Sequence, residues 1–193
     1  MPLSRLHAAF GRPWRPFVER LRELQADMDR AWEETAAAAG FVCRGCPDNC
    51  CHTLFHHHTL IEWLDLCDGL AGLSPDVRRD VRRRAAAGDA PCPLLHEERC
   101  RLYRHRPMIC RLHGLPHRLQ RPDGRVHEGP GCEAFHRRCP TPGRPLDRTP
   151  FYGRMAAIEK ELRRAVDFPD RIRLTVAGMI RACPSGGGRG EGR

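Results

Sequence analysis

Between residues 16 and 39 the apolar positions Phe17, Leu21, Leu24, Met28 and Trp32 recur at steps of four and three. That spacing predicts a helix with one buried stripe and a charged outer face. Pro16 suits its first turn and Gly40 its end. A second helical stretch, LIEWLDLCDGLAG, is opened by a capping box of Thr59 and Glu62. Ser74-Pro75 opens a third, PDVRRDVRRRAAA, closed by Gly88. Near the C-terminus two more helices are predicted over roughly 150–166 and 169–182, with Thr149 as the first cap and Pro150 at the first position.

In between, the helical period is lost. TLFHH reads as a short strand, and CPLLHEERCRLY (residues 92–103) as a hairpin with a polar turn. Arg106-Pro107 leads into a helical turn, MICRLHG, and Pro122-Asp123-Gly124 marks another turn. A proline-rich linker is expected over 139–150, and the glycine-rich tail SGGGRGEGR is expected to be disordered. The expected organisation is an N-terminal extension and amphipathic helix (1–42), a cysteine-bearing core (43–140), a linker with C-terminal helices (141–184) and a tail (185–193).

Composition adds bounds. At 193 residues the chain suits one domain with extensions, and 40% hydrophobic with 6% aromatic residues predicts a modest core. The net charge is +9, carried almost wholly by arginine, with Lys160 the sole lysine. The arginines are spread along the chain rather than gathered in a stripe, which predicts a solvated basic surface rather than a nucleic-acid interface. No run reaches eighteen apolar residues, so no membrane span is expected. MPLSRLHAAFGRPWRPF lacks a continuous apolar leader region, so a cytoplasmic location is expected. There, thiols stay reduced unless they bind metal or do redox work.

That matters because the chain has eleven cysteines: 43, 46, 50, 51, 67, 92, 100, 110, 132, 139 and 183. Cys67 shares a helix side with Leu60, Leu64 and Ala71 and reads as a small buried hydrophobe. Most of the others fall in the irregular middle. Cys43-x-x-Cys46 lets two sulfurs of a tight turn address one ion. Cys92 and Cys100 lie at the two ends of the hairpin, Cys132 follows Gly-Pro-Gly, and Cys110 lies in a helical turn whose N–H groups favour a thiolate. The adjacent Cys50 and Cys51, in an extended segment, would point to opposite faces. Setting 67, 139 and 183 aside leaves eight, enough for two four-thiolate sites or one cluster with spare thiols. His52 and His113, beside these cysteines, are candidate additional ligands, whereas His56-His57-His58 reads as a polar strand end. Covalent c-type haem would need a cysteine where Asp48 stands, and no local signature marks a Cys-His nucleophile.

Taken together, CRGCPDNCC, CPLL, CRLYRHRPMICR and GCEAF resemble the YkgJ-type CxxCxxCC cysteine-cluster family, described as zinc- or iron-chelating. Cys100, Leu102, Tyr103, Arg106, Pro107, Cys110 and Arg111 carry the more specific part, and the resemblance extends over about residues 43–136. It implies metal ligation by Cys43, Cys46, Cys50, Cys51, Cys92, Cys100, Cys110 and Cys132. Three residues, not the family's two, separate Cys46 from Cys50. Related domains occur in flagellin lysine methylases, where the cysteine region looks like an iron–sulfur site.

The fold class expected is therefore mainly α, with a small, irregular, hairpin-containing cysteine-rich core stabilised by metal. The function expected is chelation of zinc or a 4Fe–4S cluster, with Arg106 and Arg111 offsetting thiolate charge and donating to sulfur. Two other readings are a zinc-stabilised module whose arginine-rich surface meets nucleic acid or an acidic protein, and an accessory to a methyltransferase-like system. The chain shows no glycine-rich cofactor fingerprint, so any methyl-transfer activity would depend on a partner, and no catalytic activity of its own is expected.

Overall fold

The computed structural model describes Leu3 and residues 13–43, 50–139 and 143–184. Among these residues it is mainly α, with seven helices and two small sheets. Helix α1 (Arg15–Ala38) buries Leu21, Leu24 and Met28 of the predicted stripe together with Val18, while the stripe's Phe17 and Trp32 are partly buried at its margin. Gly40 ends it with φ +65°, a left-handed stop. Helix α2 (Leu60–Gly72) is buried almost all round, even at Glu62 and Asp65. It packs against α1, α6 (Thr149–Ala165) and α7 (Val176–Ala182), and α7 also covers α3 (Pro75–Ala87).

The start of α2 departs from the expected capping box. The Thr59 hydroxyl donates to the Glu62 carboxylate rather than accepting from the backbone. The first N–H groups of the helix, those of Leu60 and Ile61, which have no acceptor within it, instead donate to the two carboxylate oxygens of Glu159 at 2.7 and 3.1 Å. A carboxylate from α6 thus does the capping, in the place where the helix dipole favours negative charge.

The hairpin between β1 (Leu95–His96) and β2 (Arg99–Cys100) forms as expected, with Leu95 opposite Cys100. A four-residue helix α4 (Met108–Arg111) follows Pro107. Pro-Asp-Gly turns β3 (His117–Gln120) back on β4 (Val126–Gly129), and α5 (Glu133–Arg138) comes next. The stretch expected as a linker also holds structure. Leu146 is buried in β5 (Leu146–Asp147), which pairs in parallel with β3. Two further expectations need correction. TLFHH contributes a single bridge, His57 to Leu174, rather than a strand. The last helix begins at Val176, not near 169, because residues up to Leu174 run extended to make that bridge and Thr175 caps the helix at Gly178 N.

Cys67 is buried, as its helix face requires, but it is bonded to Cys183 in a disulfide with Cα atoms 5.5 Å apart. The packing of α7 on α2 brings together two cysteines 116 residues apart. The expectation of a plain buried thiol is corrected on that ground. No helix among the described residues is long and apolar enough to cross a membrane.

Candidate metal centre

Three chain segments deliver thiols to one place. The first is the turn at Cys50-Cys51, whose backbone is fixed when Cys92 N–H donates to Cys51 O at 2.8 Å. The second is the hairpin, which places Cys92 before β1 and Cys100 at the end of β2. The third is α4, which carries Cys110. Hydrogen bonds link the thiols of Cys50 and Cys110, Cys50 and Cys51, and Cys51 and Cys92. Cys100 interacts electrostatically with Cys51 and Cys110. Five thiols thus form one connected group.

The adjacent pair behaves differently from the extended-chain expectation. Cys50 and Cys51 sit in a turn, so neighbouring side chains are not forced to opposite faces. Cys50 reaches Cys110 and Cys51 reaches Cys92, while the two still contact each other.

This crowding suppresses ionisation. The bond to Cys110 favours the Cys50 thiolate, but the bond to Cys51, burial and the Cys51 charge outweigh it and push Cys50 up to about 12. Cys51 is likewise favoured by Cys50 but raised to about 12 by Cys92, burial and neighbouring thiolate charge. Burial is the main reason Cys100 rises to about 11. Cys110 is raised well above an ordinary thiol, first by its bond to Cys50 and then by burial. The expected depression of Cys110 by its helical turn is therefore overturned. The first N–H of that turn, on Met108, is taken by the buried Glu62 carboxylate, whose charge also opposes a Cys110 thiolate. Arg106 works the other way, favouring the thiolates of Cys50, Cys100 and Cys110.

Arg106 is held by stacking over Tyr103, 3.6 Å from the ring centre, and by donating its Nε–H to Tyr103 O. Arg111 is buried and its guanidinium braces the scaffold, donating to Asp29 on α1 and to the carbonyls of Arg104 and Arg106. Its charge reaches Cys100, though its Nε, Nη1 and Nη2 donate to oxygen rather than sulfur.

The remaining candidates are dispersed. Cys132 is buried at the start of α5, where its sulfur accepts Phe135 N–H at 3.4 Å, and it borders a neighbouring cavity together with His113. Gly131 holds that turn with φ +87°, since a Cβ there would lie 2.7 Å from Pro116 N. Cys43 and His52 are exposed, and Cys46 lies outside the described residues. Among the described residues no group of three or more Cys, His, Asp or Glu side chains is placed so as to hold a metal ion. The five thiols are gathered through pairwise contacts instead. As a donor set they are soft sulfur ligands near a positive charge, which suits zinc or iron–sulfur chemistry.

One residue near the thiols escaped the sequence reading. His57 is buried, its Nε2 has no hydrogen-bond partner among the described residues, and it lines a small cavity with Cys50, Cys92 and Cys110. Burial lowers it to about 4, so it is a neutral imidazole at ordinary pH. Its place in a run of three histidines gave no sign of this.

Residues 42–124 match the family model CxxCxxCC, described as "Putative zinc- or iron-chelating domain". That segment of the chain is similar to the family. It includes the whole gathered thiol group but ends before Cys132, short of the 136 suggested by the motifs. Its description supports metal binding. No curated protein and no solved structure matches the chain.

Proposed function

We propose that this chain is a metal-binding protein whose cysteine thiolates hold zinc or a 4Fe–4S cluster, with no catalysis of its own. The observation that carries the reading is the convergence of Cys50, Cys51, Cys92, Cys100 and Cys110 from three separate segments. Cys43, Cys46 and Cys132 are the further ligands proposed, with His52 and His113 beside them. Bound there, zinc would cross-link the segments, and a cluster would add one-electron chemistry. Arg106 would balance part of the thiolate charge, and Arg111 would keep α4 seated on α1 through Asp29. The free thiols favour a reducing setting, so the cytoplasm is proposed, where the Cys67–Cys183 disulfide would be an exception to the usual reduced state.

Purification without oxygen, followed by a visible spectrum and assay of iron, sulfide and zinc, tests this reading. A brown protein with acid-labile sulfide identifies a cluster; a colourless one with stoichiometric zinc identifies a zinc site. Protein with neither metal at stoichiometric level contradicts it.

A further inference from the structure

Beside the thiols lies a cavity of about 390 Å³, walled on its apolar side by Phe55, Ile109 and Leu119. Its polar lining consists chiefly of Arg148, three histidines (113, 117 and 127) and Tyr152, and it contains no carboxylate. Arg148 is 8% exposed. Its Nη2 donates to Leu112 O, its Nε–H has no partner, and no carboxylate pairs with it among the described residues. A guanidinium keeps its charge when buried, so an anion is the partner such a site lacks. The carboxylate of Glu62 is felt at Tyr152 but is committed to Met108 N–H and the Thr59 hydroxyl.

We infer that this cavity binds a small amphiphilic anion, an oxyanion head such as a carboxylate or phosphate on an apolar body. The head would pair with Arg148 and take further donors from Tyr152 and the histidines, while the body packs on Phe55, Ile109 and Leu119. Burial depresses Arg148 to about 10, and His117 is lowered to about 4, first by burial and then by repulsion from Arg148. Cys132 and Ile109, the latter next to Cys110, also line the cavity, so the ligand would lie against the proposed metal centre. The inference goes beyond metal binding and does not depend on it.

Calorimetric titration of the full chain with benzoate, phenyl phosphate and the neutral benzamide tests the inference, with metal content measured on the same sample. At least one anion should bind saturably and about tenfold or more tighter than benzamide, and the stronger of the two identifies the head group. Arg148→Gln should weaken that anion by about tenfold or more. Because Arg148 also caps the Leu112 carbonyl, a double variant of two further lining residues, His127→Gln with Tyr152→Phe, serves as the second test and should weaken it by about threefold or more. The inference is overturned if neither anion binds saturably or if benzamide binds as well. Unchanged anion affinity in a folded Arg148→Gln protein, or in the double variant, also overturns it. Loss of metal with anion binding intact would count against the metal reading alone.

Discussion

The buried carboxylate of Glu62, in the middle of the core, accepts the N–H of Met108 at 2.5 Å. That bond ties the most enclosed helix of the fold to the first residue of the turn carrying Cys110. Its second oxygen accepts the Thr59 hydroxyl, so neither side of the carboxylate is idle. The position of Cys110 is thus set by the core rather than by its own short helix.

Replacing Glu62 should show this directly. Glu62→Ala leaves Met108 N–H buried without an acceptor and opens a cavity, at a cost of about 2–4 kcal/mol. Glu62→Gln keeps an acceptor and should cost less than about 1 kcal/mol. Chemical denaturation of the two variants beside the parent protein measures the difference; equal losses would mean that the cap contributes nothing.

The raised thiols make the metal-free protein sensitive to alkali. An ordinary thiol ionises near 9, whereas Cys50 and Cys51 stay protonated to about 12 and Cys100 to about 11. Above pH 9 the unfolded chain loses protons that the folded chain retains, so stability present below that value is lost as pH rises toward 11–12. Denaturation midpoints of the metal-free protein should fall across that window. Conversely, metal must displace those protons to bind, so its affinity should fall as the solution is acidified. A flat alkaline profile would show that the thiols are not crowded.

How much of this could be read in advance varies with the range of the interaction. Helices α1, α2 and α3 lie where periodicity and flanking Ser-Pro or Gly placed them, because those signals are local. The hairpin and the turn at Pro122-Asp123-Gly124 were legible for the same reason. Features made by distant partners were not. Glu159 capping α2, Leu146 joining β3, and Cys183 meeting Cys67 each depend on chain segments that sequence spacing cannot bring together. Arg148 is the extreme case, since an arginine after a proline-rich stretch carries no sign of burial. At the candidate site the residue types were legible. The sharing of one turn by Cys50 and Cys51 was not, because it depends on backbone geometry rather than on order.

Gly69 shows how closely the core approaches the cysteine region. A Cβ there would lie 2.6 Å from the ring of His105, which is held by Asp65 at 3.0 Å. Gly69→Ala should therefore destabilise the fold by about 1–3 kcal/mol, despite the gain in helix propensity. Thermal or chemical denaturation checks this; a stabilised variant would mean that His105 moves aside freely.

The hairpin that positions Cys92 and Cys100 turns through Glu97 and Glu98, both with positive φ (47° and 61°). Such a turn suits Asn-Gly far better than two glutamates. The double change Glu97→Asn and Glu98→Gly should raise stability by about 1 kcal/mol without altering metal content. Loss of metal from this variant would show that the turn does more than connect two strands.

The central claim is that the gathered thiols hold the metal, and paired substitutions test it most directly. Cys110→Ser removes a thiol at the centre of the group, whereas Cys139→Ser removes a buried thiol set outside the proposed ligands. Metal per chain, measured on anaerobically purified protein, should fall sharply in Cys110→Ser and stay at the parent level in Cys139→Ser. Parental metal content in Cys110→Ser would contradict the account.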